Sequence, residues 1–427
     1  MTEPGAPALT EPTVPVRAKW ITLLVLADLG VWMAFTTPIQ VLLPEQIATI
    51  DPARKETMFG LVTGVGALVA VIANPLAGAL SDRTTVTVRG HTFGRRHLWT
   101  LGGALLGAAA LLTLSGQRTV AGVVACWAVA QAAFNAMLAA LTAAVPDRVP
   151  MAQRGTVSGW VGIPQILGLV VGVVLVTAVL PGFAGGDTAG TGAGYVAVAV
   201  AVALLAVPFA LATPDDPLPH RHRAPLRLRA VLSGMWVSPR RHPDFGRAWL
   251  TRFAIQLGNA LGTLYLLYFL RDRVHHPHPE DALLTLILLY AAGLVVTAVL
   301  AGRRSDRTGR RKVFVGWASV LMAGAAVLLA AWPTWTGALI AAAILGVGYG
   351  VYLAVEAALI TQVLPEATDR ARDLGVLNIA NAAPQVLGPV LSAPIVVHLG
   401  GYRVLYAVTA VVILLGGALV RLIRSVP

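Results

Sequence analysis

The sequence predicts an all-α integral membrane protein with twelve transmembrane helices, arranged as two pseudo-symmetric six-helix halves. Three observations carry this expectation. Long apolar segments recur along the chain, whose composition is 56% hydrophobic and only 12% charged. Charges lie in the connections or, as with Arg403 and Arg421, at the very ends of a segment, apart from Asp28, Arg252 and Glu356 in the segment interiors. Short motifs of the first half return in the second, about 215 to 224 residues later.

In chain order the segments are Trp20 to Leu43, Thr57 to Leu80, Leu98 to Ser115, Val120 to Val145, Gly159 to Leu180 and Gly194 to Ala212. The second set runs Ala248 to Leu270, Ala282 to Ala301, Val313 to Ala331, Trp335 to Leu364, Gly375 to Leu399 and Tyr402 to Leu422. Each is near the length, about 20 helical residues, that crosses a hydrocarbon layer about 30 Å thick. Residues 1–19 read as a disordered tail, 20–212 as the first half, 213–247 as a linker and 248–427 as the second half. No cleavable leader is expected, because the first apolar run is too long for one. In the linker, Pro225 to Trp236 fits a short basic amphipathic helix on the membrane surface. Cys126 is alone and within a span, which excludes an intramolecular disulfide and a cysteine-based metal cluster.

Orientation follows from the basic residues, since loops rich in Lys and Arg stay on the cytoplasmic side. With both termini inside, the outer loops keep only Arg54, Lys55, Arg118, Arg271, Arg273 and Arg403 of the 32 Lys and Arg. The net charge of +12 is therefore topological, and its dispersal over membrane-flanking loops argues against nucleic acid as a partner. The expected location is the cytoplasmic (inner) membrane. Expected partners are lipid and a small-molecule solute, with the monomer as the working form.

Ser81-Asp82-Arg83-Thr84 recurs as Ser305-Asp306-Arg307-Thr308, and Gly94-Arg95-Arg96 as Gly309-Arg310-Arg311. Pro164-Gln165-Ile166-Leu167-Gly168 recurs as Pro384-Gln385-Val386-Leu387-Gly388. These residues resemble the major facilitator superfamily, including its signature loop between the second and third spans. Gly78 to Thr84 with Phe93-Gly94-Arg95-Arg96, and Arg372 to Asn381 leading into Pro384-Gln385, are more closely similar to sucrose-type and glycoside-pentoside-hexuronide symporters and their bacterial relatives. The chain departs from plant sucrose transporters in the fourth span, where their coupling Asp gives way to the stretch Trp127 to Gln131. The resemblance implies a major facilitator fold, alternating access, and a central cavity lined by the first, fourth, seventh and tenth spans.

A charge in the hydrocarbon region usually faces water, a partner or an ion, because burying it alone costs on the order of several kcal/mol. Asp28, about 12 Å into its span at 1.5 Å per residue, and Glu356 are therefore proton-coupling candidates. Arg252 either tunes one of them, forms a static pair with it, or snorkels to the interface. In the first span Asp28, Trp32, Thr36 and Gln40 follow one slowly winding stripe. The fourth span offers Trp127, Gln131 and Asn135, the seventh Gln256, Asn259 and Thr263, and the tenth Tyr349 and Tyr352. Gln165, Asn378, Asn381 and Gln385 extend this cavity set. Such amide, hydroxyl and ring groups suit a polyhydroxylated solute, and they also serve as hydrogen-bonding glue between helices.

Asp82, Arg83, Arg95, Arg96, Asp306, Arg307, Arg310 and Arg311 are expected to latch the cytoplasmic ends of each half through ion pairs and helix-dipole contacts, or else to be topology-setting turns. Pro164, Pro384 and Pro389 are candidate bends. His275, His276 and His278 read as a solvated loop, not a metal site. Together these features predict a secondary active transporter of a sugar, glycoside or similar small polar solute, with the proton gradient as energy source and no cofactor. Export of drugs or metabolites is the alternative. An intramembrane enzyme is a weaker one, since no His-Glu-x-x-His, Gly-x-Ser-x-Gly or Cys-His constellation lies in the spans.

Overall fold

The computed structural model describes residues 12–81, 84, 86–88, 91–177, 188–215, 243–308, 310–363 and 370–424. The amphipathic stretch Pro225 to Trp236 lies outside them. Helix α1 (Ala18–Thr37) passes through a π-helical turn at Pro38–Leu42 into α2 (Leu43–Ile50). Pro38 has no N–H to donate, which breaks the regular ladder there, and the widened turn carries Gln40. A 3-10 turn at Pro52–Arg54 leads into α3 (Lys55–Ser81). A short antiparallel hairpin follows, β1 (Val86–Val88) on β2 (His91–Phe93), with Thr87 opposite Thr92. Then come α4 (His97–Ser115), α5 (Val120–Arg148), α6 (Met151–Thr177) and α7 (Thr188–Ala212).

Beyond the linker the chain forms α8 (Pro243–Leu264), α9 (Leu266–Asp272), α10 (Pro279–Thr308), α11 (Arg311–Ala331), α12 (Trp335–Val363), α13 (Arg370–His398) and α14 (Gly401–Leu419). Eleven helical stretches among the described residues are long and apolar enough to cross a membrane. The remaining expected span, Gly375 to Leu399, falls in α13, whose stretch Leu387–His398 is apolar. The all-α membrane architecture is as expected, and the hairpin is an addition to it. Leu204, Leu211, Leu300 and Trp317 are exposed apolar side chains of the kind that face lipid.

The chain divides into two compact units, Met1–Ile50 with Leu68–Arg227, and Asp51–Ala67 with Leu228–Pro427. In the first unit α1 packs on α6 and α7, and α4 on α5 and α7. In the second, α12 packs on α10 and α11, while α8 holds α13 and α14. Gly346 and Gly350 make the α10–α12 contact possible. A Cβ at these positions would lie 2.3 Å from the Tyr290 carbonyl oxygen and 2.4 Å from that of Leu294. Backbones this close require small residues.

The first turns of α3 belong to the second unit. Buried Phe59 meets the rings of Tyr265 and Tyr268 edge-on at 5.5 and 5.7 Å, and the Tyr265 hydroxyl donates to the Glu56 carbonyl at 2.8 Å. Lys55 Nζ pairs with Asp272, whose other oxygen accepts from the Tyr402 hydroxyl at 3.0 Å.

Candidate functional site

In the first unit, Asp28 of α1 is 3% exposed and has no hydrogen bond or ion pair among the described residues. An unpaired carboxylate this buried is costly, so water or a proton must compensate it. Farther along its stripe Trp32, Thr36 and Gln40 are half-buried. The Thr36 hydroxyl donates to the Trp32 carbonyl of its own helix at 2.8 Å. Gly168 of α6 packs directly on the Trp32 backbone. In α5, Trp127 is fully buried with its indole Nε1 unpartnered among the described residues. Asn135 Nδ2 donates to the Gln131 carbonyl at 2.9 Å and to its Oε1 at 3.2 Å, so these two amides hold each other. Gln165 is exposed, whereas Pro164 beside it is buried.

The second unit gathers the other two span-interior charges. Arg252 Nη1 of α8 stands 2.8 Å from Glu356 Oε1 of α12, with side-chain exposures of 16% and 11%. Of the three arrangements the sequence leaves open for Arg252, the structure shows a direct pair with Glu356. Tyr352 places its hydroxyl beside the Glu356 carboxyl. One turn before it the Tyr349 hydroxyl donates to Gln256 Oε1 at 2.7 Å. Tyr290 of α10, absent from the sequence-based set, stacks on Tyr349 at 6.2 Å, and Tyr349 on Tyr352 at 5.9 Å. The close α10–α12 approach at Gly346 and Gly350 brings Tyr290 there. Asn259 Oδ1 is buried without a donor among the described residues, while the Thr263 hydroxyl donates to the Asn259 carbonyl at 2.9 Å.

At the signature-loop end of the first unit, Arg95 and Arg96 share one carboxylate. Arg95 Nη2 lies 2.9 Å from Asp147 Oδ1, and Arg96 Nε 2.7 Å from Asp147 Oδ2. Arg96 also donates to the Ser81 hydroxyl. Asp215, just past α7, accepts from the backbone N–H groups of Arg96 and His97, both at 2.7 Å, and so caps the N-terminus of α4. The Thr213 hydroxyl lies 2.8 Å from His97 Nε2. Asp147, Asp215 and His97 were not anticipated as partners. Arg310 is exposed at the start of α11 and Arg311 lies in its first turn. Asp82 and Arg83, and the side chains of Asp306, Arg307, Asn378, Asn381 and Gln385, lie outside the described residues. His276 and His278 contact each other, and the His276 ring lies 4.8 Å from that of Trp335.

The sequence matches the family model described as Major Facilitator Superfamily over residues 21–291 and 278–427. No curated protein sequence matches it. Among solved structures the fold is similar to that of the nucleoside transporter NupG, at 13% identity and a TM-score of 0.71 over 95% of this chain and 98% of that one. It is similar to the human organic anion transporter MFSD10 (TETRAN), at 19% identity and 0.67 over 95% and 100%. A bacterial homolog of the human lysosomal transporter Spinster, in an inward-facing and occupied conformation, gives 15% and 0.73 over 96% and 97%. At these identities the likeness is one of fold.

Proposed function

Because the chain belongs to the Major Facilitator Superfamily, and is a transporter and not an enzyme, we propose that it moves a small polar solute by alternating access coupled to protons. The observation that carries this reading is the burial of Asp28 within a span with no counter-ion among the described residues. A carboxyl so placed is tolerated as a charge while water reaches it and as a neutral acid when water is excluded. Alternation between those surroundings loads and unloads a proton. Glu356 is the second acid, held by Arg252.

The motif likeness to sucrose-type and glycoside-pentoside-hexuronide symporters supports a hydroxylated solute, which the amides of Gln256 and Asn259 and the tyrosine rings beside them suit. The distribution of basic residues supports a cytoplasmic-membrane location with both termini inside, and the two-half repeat supports a monomer as the working form.

The test is reconstitution into liposomes loaded with a pH-sensitive dye, with sugars, glycosides and their acids added outside. The reading expects at least one solute to carry protons inward and to accumulate when the interior is made alkaline. Uptake of a solute with no proton movement and no response to an imposed gradient would leave facilitated diffusion as the function.

A further inference from the structure

Arg252 is neutralised by Glu356 without being satisfied by it. The Nη1 to Oε1 distance is 2.8 Å. Yet neither Oε1 nor the buried Arg252 Nε has a hydrogen-bond partner among the described residues. A guanidinium offers five N–H donors in a planar fork, and a well-matched carboxylate takes two of them in parallel. Here no such parallel pair of hydrogen bonds joins the two groups among the described residues. Charge is matched and geometry is not, which is the condition for a counter-ion that another carboxylate can displace.

The surroundings suit a ligand. The stacked rings of Tyr290, Tyr349 and Tyr352 offer apolar faces beside the pair. Gln256 is fixed by Tyr349, and three residues on, the buried Asn259 Oδ1 has no donor among the described residues. All of these groups belong to one unit of the chain.

We infer that Arg252 binds a carboxylate on the transported solute, and that Glu356 releases the guanidinium by taking a proton. A proton adds to a Glu356 carboxylate oxygen, the contact with Nη1 is given up, and the solute carboxylate forms parallel N–H···O bonds to the freed fork. The site is neutral beforehand, with one guanidinium and one carboxylate, and neutral afterwards, with the solute's carboxylate replacing that of Glu356. No buried charge is left alone at either stage. The ionisable groups acting on Glu356 are Arg252 from α8 and Tyr349 and Tyr352 from α12 itself. Tyr290 of α10 stands behind Tyr349, and α11 brings no ionisable group to Glu356 among the described residues. This inference rests on the proton-coupled reading above and narrows its solute to a carboxylate-bearing one.

The test is calorimetric titration of the purified protein in two buffers of different ionisation enthalpy, using three matched pairs: D-glucuronate with D-glucose, mandelate with benzyl alcohol, and lactate with 1,2-propanediol. At least one acid should bind about tenfold or more tightly than its neutral partner, with about one proton taken up per acid bound. Arg252→Lys keeps the charge and loses the fork, so it should weaken that acid about tenfold or more. Glu356→Gln should bind it with no proton uptake. Equal binding of acid and neutral partner, unchanged acid affinity in Arg252→Lys, or binding by none of the three acids would overturn the inference. A neutral solute that binds and drives proton flux in liposomes would refute the carboxylate and leave proton coupling standing. Acid binding that depends on Arg252, without proton flux in liposomes, would do the reverse.

Discussion

Arg96 and Asp147 form a 2.7 Å ion pair that ties the signature loop to the end of α5. Arg95 reaches the other oxygen of the same carboxylate, so one acid serves two guanidiniums whose side chains are 9% and 7% exposed. Removing it takes from both guanidiniums the carboxylate they share. Asp147→Asn is expected to cost about 3 kcal/mol, the lower end for a broken buried pair, because Asp147 itself keeps 21% exposure. Arg54→Gln breaks the Arg54–Asp51 pair, in which Arg54 is 69% exposed, and should cost less than about 1 kcal/mol. Thermal unfolding followed by tryptophan fluorescence compares the two, and equal shifts would refute the difference.

A second clasp lies within the other unit, where Lys55 and Tyr402 converge on Asp272 and hold the first turns of α3. Asp272→Asn removes the charge that Lys55 needs. In a Cys126→Ala background, maleimide labelling of Thr63→Cys, a position 4% exposed, should rise roughly fivefold or more, the population change that about 1 kcal/mol brings. Unchanged labelling would show that Phe59 and Tyr265 hold the segment unaided.

The glycines of α12 are expected to be intolerant. Gly346→Ala must push the helix away from the Tyr290 carbonyl, since the new Cβ would sit 2.3 Å from it, and should cost about 1–3 kcal/mol. Gly162→Ala, with nothing within 4 Å, should be neutral or stabilising by up to about 1 kcal/mol through helix propensity. The same unfolding assay distinguishes them.

Asp28 and Arg252 should respond oppositely to neutralisation. Asp28→Asn removes a buried acid that has no partner among the described residues, and is expected to leave the melting temperature unchanged or raised. Arg252→Gln strands Glu356, which is 8% exposed, and should cost about 3 kcal/mol. A large loss in Asp28→Asn would reveal a partner for that carboxyl.

The helices were legible because apolar runs of membrane-spanning length have few other uses, and Asp28, Arg252 and Glu356 stood out because charge inside such runs is rare. Their pairing was not legible, because Arg252 and Glu356 are far apart in the chain and three arrangements fitted equally well. Asp147 and Asp215 escaped notice for a different reason: they lie at helix ends, where charges are ordinary, and their partners are 51 and 119 residues away. Nothing in the sequence separates Tyr290 from ordinary span residues; the close approach of α10 and α12 at Gly346 and Gly350 is what places it in the cluster. The hairpin strands, three residues each, are too short for alternation to register. Thr36, Thr263, Gln131 and Asn135 do make hydrogen bonds within their own helices, the bland use that polar residues in spans often have.

The central claim, that buried acids couple solute movement to protons, is tested most directly by comparing two activities of the Asp28→Asn/Glu356→Gln variant in liposomes. Uphill movement needs a group that loses and regains a proton, whereas exchange of the same solute across the membrane needs only binding and alternation. The account predicts that accumulation driven by a pH gradient disappears while counterflow persists. Full gradient-driven accumulation in the double variant would contradict it.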